Sequence, residues 1–203
     1  MVPRPALIPA LLLLASACAP VPDEPAPTRA IDFKPIEIRM PAVIVQFAFG
    51  PGEFSERERE SLPREYEGAV LEGLNARAVL ARDVRLVSER ERRPDARAAL
   101  ARAREVQADH AVIVEVTVTR RVTEFCRGTR RAPLRELATT LSQGVEILRV
   151  SDGARRLALD PSPALSTTDF EPDCAKPAES QRRSAAETLQ KAVDKLLTRL
   201  LGP

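Results

Sequence analysis

The residues of this chain that could do chemistry are few. There is one histidine, His110, and it follows Asp109. A histidine beside a carboxylate is a common starting point for general acid–base work. Here the pair opens an apolar, strand-like run, in which neighbours point to opposite faces, so a catalytic dyad is not expected. Ser142, Ser166 and Thr167 stand outside any nucleophile-elbow pattern. Gly50-Pro51-Gly52 lacks the Lys-Ser/Thr that follows a phosphate loop. Cys18, Cys126, Cys174 and His110 do not have zinc-site spacing, so no metal or cofactor is expected. The densest cluster is basic: Arg120, Arg121, Arg127, Arg130 and Arg131, five arginines within twelve residues. Guanidinium groups pair with carboxylates and phosphates, so this segment could meet a lipid headgroup, a glycan or a protein. The plainer alternative is a solvated loop in a chain with only four lysines.

Composition narrows the classes further. Across 203 residues, 31 Lys+Arg stand against 29 Asp+Glu, too even a balance to wrap nucleic acid by charge alone. Aromatic residues make up 3% and tryptophan is absent, so the core must be aliphatic. The length fits one ordinary domain with tails.

The first residues read as an address. Arg4 is a positive start, and Ala6 to Leu14 is apolar except for Pro9. The run is too short for a bilayer span, which needs about 20 residues, and has the build of a secretory signal peptide over residues 1–17. Leu14-Ala15-Ser16-Ala17-Cys18 resembles the bacterial lipobox, whose cysteine is lipidated and becomes the mature N-terminus. An ordinary signal peptide with an incidental cysteine is the alternative. In the lipoprotein class, Ala19 in place of Asp implies the outer membrane, with the protein facing the periplasm. Residues 18–40 then form the lipidated start and a tether, stiffened by Pro20, Pro22, Pro25 and Pro27. An exported chain folds where disulfides form. Cys126 and Cys174, in polar surroundings, are therefore expected to pair; the alternative is two free, buried thiols.

Residues 41–203 carry the folded pattern. Met40 to Phe49 is a strand buried on both faces. Ser55 and Glu58 make a capping box, though Pro63 disfavours one unbroken helix from there. Leu62, Tyr66, Ala69, Val70 and Leu74 recur at helical spacing, with Gly68 and Gly73 weakening the helix or letting it sit close to the sheet. Val84 to Val87 is a short strand. Pro94 sits at a helix start, followed by an apolar stripe through Val106. Ala111 to Thr119 is strongly strand-like, with Val112, Val114, Val116 and Val118 on one face. Residues 120–135 read as a long charged hairpin loop. Leu137 to Val150 is strand-rich with an expected bulge at Gly144. Ser151-Asp152-Gly153 is a hairpin turn, after which Arg156 to Leu159 pairs back. Residues 160–178 read as loop, and Ala185 to Leu200 is an amphipathic helix. The order is β-α-β-α-β-β-β-α: an α/β fold with a single mixed sheet packed by helices.

Three segments together resemble a group of envelope proteins. AVIVQFAFG resembles their VAVLPF-type opening strand, ARAREVQADHAVIVEVT their helix running into a central strand, and VEILRVSDGARRLAL their closing hairpin. The group includes CsgG-like curli secretion lipoproteins, LpoB-like activators of penicillin-binding proteins and the amino-terminal domain of TolB. Membership implies a non-enzymatic binding or assembly module with an envelope protein partner; the CsgG-like branch implies an oligomeric secretion or transport component. Where the group has glycine before Ala-Asp, this chain has Gln107, and His110 replaces a small residue. A membrane-spanning hairpin would place Arg120, Arg121, Arg127, Arg130, Arg131 and Arg135 against lipid at several kcal/mol in total, so a pore is not expected. A cell-wall hydrolase using His110, Asp109 or Glu115 is the remaining, least supported class.

Overall fold

A computed structural model describes residues 28–30, 32–87, 95–128, 132–161 and 165–201. One mixed sheet organises them. Its strands are β1 (Thr28–Arg29), β2 (Ala42–Phe49), β3 (Asp83–Val87), β4 (His110–Phe125), β5 (Leu134–Arg149) and β6 (Arg155–Leu159), in spatial order β1-β6-β5-β4-β2-β3. β2 runs parallel to β3 and β4, whereas β4, β5, β6 and β1 pair antiparallel in turn. A short β7 (Thr167–Thr168) pairs with β5 at Leu141, beyond the reach of β6. β8 (Phe170–Glu171) and β9 (Gln181–Arg182) form a separate small ribbon. The helices are α1 (Glu56–Ala76), α2 (Ala96–Glu105) and α3 (Ala185–Leu201). None is long and apolar enough among the described residues to cross a membrane.

The strand alternation sorts the core into two layers. Val43, Val45 and Phe47 of β2 and Val112, Val114, Val116 and Val118 of β4 face α1 and α3. Ala42, Ile44, Ala111 and Ile113 face α2, which answers with Ala99 and Ala103. Small residues on both sides let that helix lie close, which fits the scarcity of aromatics. α1 and α3 also meet directly. At Gly73 a Cβ would come within 2.6 Å of Leu197 Cδ1, so the glycine serves a helix–helix approach rather than a helix–sheet one. A buried polar bridge ties the layers: Tyr66 donates to Gln143 Oε1, and Gln143 Nε2 donates to the carbonyl of Ala192 at 2.8 Å. Burial of Tyr66 raises its hydroxyl's pKa and keeps it a donor.

Several expectations are revised. The folded part starts before residue 41: β1 pairs with Ala158 and Leu157, and Phe33 and Ile38 enter the core. α1 continues through Pro63. The proline loses one helical hydrogen bond, but Leu62 and Tyr66 beside it are buried, and the Ser55–Glu58 box secures the start. α2 begins at Ala96, capped by Asp95, whose carboxylate accepts from Ala98 N at 2.7 Å. β5 passes through Gly144 without a shift against β4; the irregularity lies between Ile147 and Leu148, against β6. Gly144 instead admits Pro161, whose Cδ would sit 2.7 Å from a Cβ there. Residues 160–178 contain β7 and β8 rather than loop alone. The Asp152-Gly153 turn forms as expected, with Gly153 at φ +72°.

Candidate functional site

The arginine segment is the largest departure. It is not a long loop: β4 and β5 continue to Phe125 and from Leu134, so Arg120, Val122 and Glu124 stand opposite Thr139, Leu137 and Arg135. A two-stranded ribbon thus projects past the helix-covered body. It forms because alternating Thr, Val and Arg suit an extended backbone even where no core lies beneath. The sequence read charge as loop; the alternation within Arg120 to Phe125 was the signal that pointed to strand.

The arginines have different fates. Arg120 is a clamp. Its guanidinium donates to Glu58 Oε1 at 2.7 Å, Thr139 Oγ1 at 3.0 Å and the Glu53 carbonyl at 2.9 Å, and lies 4.6 Å from the centre of the Phe54 ring. Backbone bonds fix the same corner: Arg120 N donates to Pro51 O and Gly50 N to Val118 O. At Gly52, φ is +127° and a Cβ would meet the Arg120 carbonyl at 2.4 Å, so only glycine fits there. Arg120 therefore holds the ribbon root to α1 and has few donors left for a partner, against the expectation. The Arg120 guanidinium, with the Ser55 N–H and hydroxyl, lowers Glu58 from an ordinary 4.5 to about 2.

Arg127 pairs with Glu124 at 2.7 Å, as does Arg135. These two arginines, with Arg127 the larger cause, hold Glu124 below the usual carboxylate range. Arg182 pairs with Glu136, and Arg183 with Glu171. Of the expected cluster, Arg121 is exposed, opposite Ala138 and without a carboxylate partner among the described residues. Arg130 and Arg131 lie outside the described residues, as does Cys18. Acids that sequence reading did not assign to the ribbon thus engage Arg120, Arg127 and Arg135, with Glu124 shared by the last two.

Two further features stand out on the ribbon. Val122 and Leu137 face each other across the ribbon and are 67% and 44% exposed. They share a face with Arg120 and Glu124. The tip is stapled by a Cys126–Cys174 disulfide with Cα atoms 5.3 Å apart, and Phe125 packs on Phe170 at 5.0 Å beside it. The bridge spans 48 residues and contributes about 4 kcal/mol on the loop-entropy account.

At the opposite end of β4 sits the His110–Asp109 pair. The two do approach, with Nδ1 to Oδ1 at 3.2 Å, because Asp109 precedes the strand and escapes its alternation. The contact is not an aligned hydrogen bond, since neither atom meets hydrogen-bond geometry. Asp109 Oδ2 is committed to the backbone N–H groups of Arg39 and Met40 at 2.8 and 2.9 Å. Burial raises its pKa, but His110 and those N–H groups more than offset this and hold it low. His110 is 3% exposed. The geometry is that of a clip joining the strand starts. Glu115 lies on the other face of β4, between Gln46 and Gly144 in register, and does not join the pair.

No family model matches the chain, and no curated protein sequence does. Solved structures similar to it include a PelC dodecamer from Paraburkholderia phytofirmans, at 15% identity and TM-score 0.42 over 87% of this chain and 96% of that one. They also include a lipoprotein from Neisseria meningitidis, at 11% identity and TM-score 0.34 over 80% and 100%. A minor lipoprotein from Acinetobacter baumannii follows at 11% identity and TM-score 0.29 over 77% and 88%. All three likenesses are distant.

Proposed function

We propose that this chain is a lipid-anchored protein of the bacterial envelope that acts without catalysis, by presenting its β4–β5 ribbon to a protein partner. The leader and the Leu14-to-Cys18 pattern support the anchor, with Cys18 as the lipidated residue and the outer membrane as its site. The Cys126–Cys174 bridge supports folding in an oxidising compartment. The observation that carries the partner reading is the exposed Val122–Leu137 pair, framed by the Glu124–Arg127–Arg135 ion pairs on a stapled strand ribbon. An apolar centre with a charged rim is how protein interfaces are built. A phosphate or glycan site would instead need free, converging guanidiniums, and among the described residues Arg120, Arg127 and Arg135 are already engaged, which leaves Arg121 alone.

Two experiments test this reading. A photo-crosslinking residue at position 122, in cells, should give one discrete adduct that the same residue at Leu71 on the helical body does not give. No adduct at 122 defeats the partner claim; an adduct of twice the chain's own mass shifts the reading to an oligomeric component. Cys18→Ser should release the protein from salt-washed membranes, and unchanged retention after the wash defeats the anchor.

A further inference from the structure

At the His110 end of the sheet, opposite the ribbon, an open groove of about 1010 Å³ lies between the chain leading into β2, the end of α1 and the end of α3. Its floor and walls are Pro35, Ile38, Met40, Val79, Leu80 and Leu201. Leu80, 66% exposed, stands at its mouth. Cations border it. Arg39 lines the groove, Lys34 precedes Pro35, and Arg82 reaches the Met40 sulfur at 3.0 Å. Among the described residues no carboxylate pairs with any of the three.

We infer that this groove end is a docking surface for an anionic bilayer, seated on the membrane to which the chain is tethered. The inference rests on the lipid anchor at Cys18. Residues 18–27 can span about 35 Å at full extension. They end at Thr28, which pairs with Ala158 and so lies level with Ile113 through Glu146. From that level the His110 end of β4 is about 10 Å away and the Phe125 end about 40 Å away in the other direction. β1 sends the chain toward the ribbon as it leaves Thr28, but ten residues are enough to turn back to the groove end, whereas the ribbon tip lies beyond their full extension. Exposed leucine for the interface, with Lys34, Arg39 and Arg82 for the headgroups, none of them paired to a carboxylate among the described residues, is the chemistry that such a surface takes.

The test uses the full mature chain bearing Cys18→Ser, which has no acyl group, and sedimentation with vesicles. It should bind vesicles of phosphatidylethanolamine and phosphatidylglycerol and be released by high salt, because the contact is partly electrostatic. Binding to phosphatidylcholine vesicles should be weaker by about tenfold, and Arg39→Glu with Arg82→Glu should give a similar loss on the anionic vesicles. Leu80→Asp should weaken binding, while Val122→Asp on the ribbon should not. Arg39, Leu80, Arg82 and Val122 are exposed, and a thermal melt by circular dichroism checks that each variant is folded. Equal binding to both vesicle types, no binding to either, or an undiminished charge-reversed variant overturns the proposal. So does a concentration-dependent mass increase that Leu80→Asp abolishes, which would assign the groove to a second copy of the chain. The anchor is judged separately, by salt-washed membranes and by the mass of the Cys18 peptide, so either claim can fall while the other stands.

Discussion

The two strands β4 and β5 pass through two environments, and their halves are held by different forces. From His110 to Val118 the paired strands lie between helices, and most of the side chains are buried aliphatics. From Thr119 to Phe125 the same ladder continues with nothing beneath one face, and ion pairs, an arginine clamp and a disulfide take over. Backbone pairing is equally regular in both. The difference teaches that register here is set in the body and only carried outward, while the ribbon's stiffness comes from cross-links at its root and tip. Apolar exposure that would be a defect in the body is tolerated at Val122 and Leu137, because the ribbon's order does not depend on burying them.

The contrast can be broken from either side. The largest effect should come from the body. Ile147→Ala, at a fully buried position, should lower unfolding free energy by about 2–5 kcal/mol in urea titrations, while Val122→Ala should change it by less than about 0.5 kcal/mol. Next, Cys126→Ala with Cys174→Ala should lose about 2–4 kcal/mol. Amide hydrogen exchange should then quicken in residues 119–125 and 134–140 but not in 110–118; uniform quickening would show that the halves are one cooperative unit. Third comes acid titration of the root clamp. Glu58 has a folded pKa of about 2, below its ordinary 4.5. Its contribution is therefore complete above about pH 4.5 and lost as pH falls toward 2. Glu58→Gln should flatten the stability curve in that window and leave its slope unchanged near neutrality. The carboxylate is partly exposed, so the size should be modest. The smallest change should be a gain. Gln107→Gly relieves a left-handed residue and should raise stability by up to about 1 kcal/mol, read as a small rise in Tm.

That last position shows how far the sequence was legible. α1 and α2 both end in the same hydrogen-bonded motif: Val79 N donates to Leu74 O and Ala78 N to Asn75 O, and Ala108 N to Ala103 O and Gln107 N to Arg104 O. Each places a non-glycine residue at φ +56°. Gln107 was marked only as standing where the resembling group has glycine, and nothing marked Ala78. The buried alternations of β2 and β4, the Asp152-Gly153 turn, the Ser55 box and the stripe of α3 were readable because burial imposes a period on residue type. The ribbon was not, since strands outside the core need no apolar face and their charges mimic a loop. Nor was the packing of Phe33 and Ile38, two apolar residues in a proline- and charge-rich stretch whose partners lie far along the chain. At the candidate site, the disulfide was readable from export and setting. The neutralising roles of Glu58, Glu124 and Glu136 were not, because they depend on register.

The short strand β1 has a consequence in time. Arg29 and Thr28 wait for Leu157 and Ala158, and Asp32 for Arg156, 124 residues later. The first folded segment to be made is thus among the last to find its neighbours, and the strap beside the tether closes the molecule rather than beginning it.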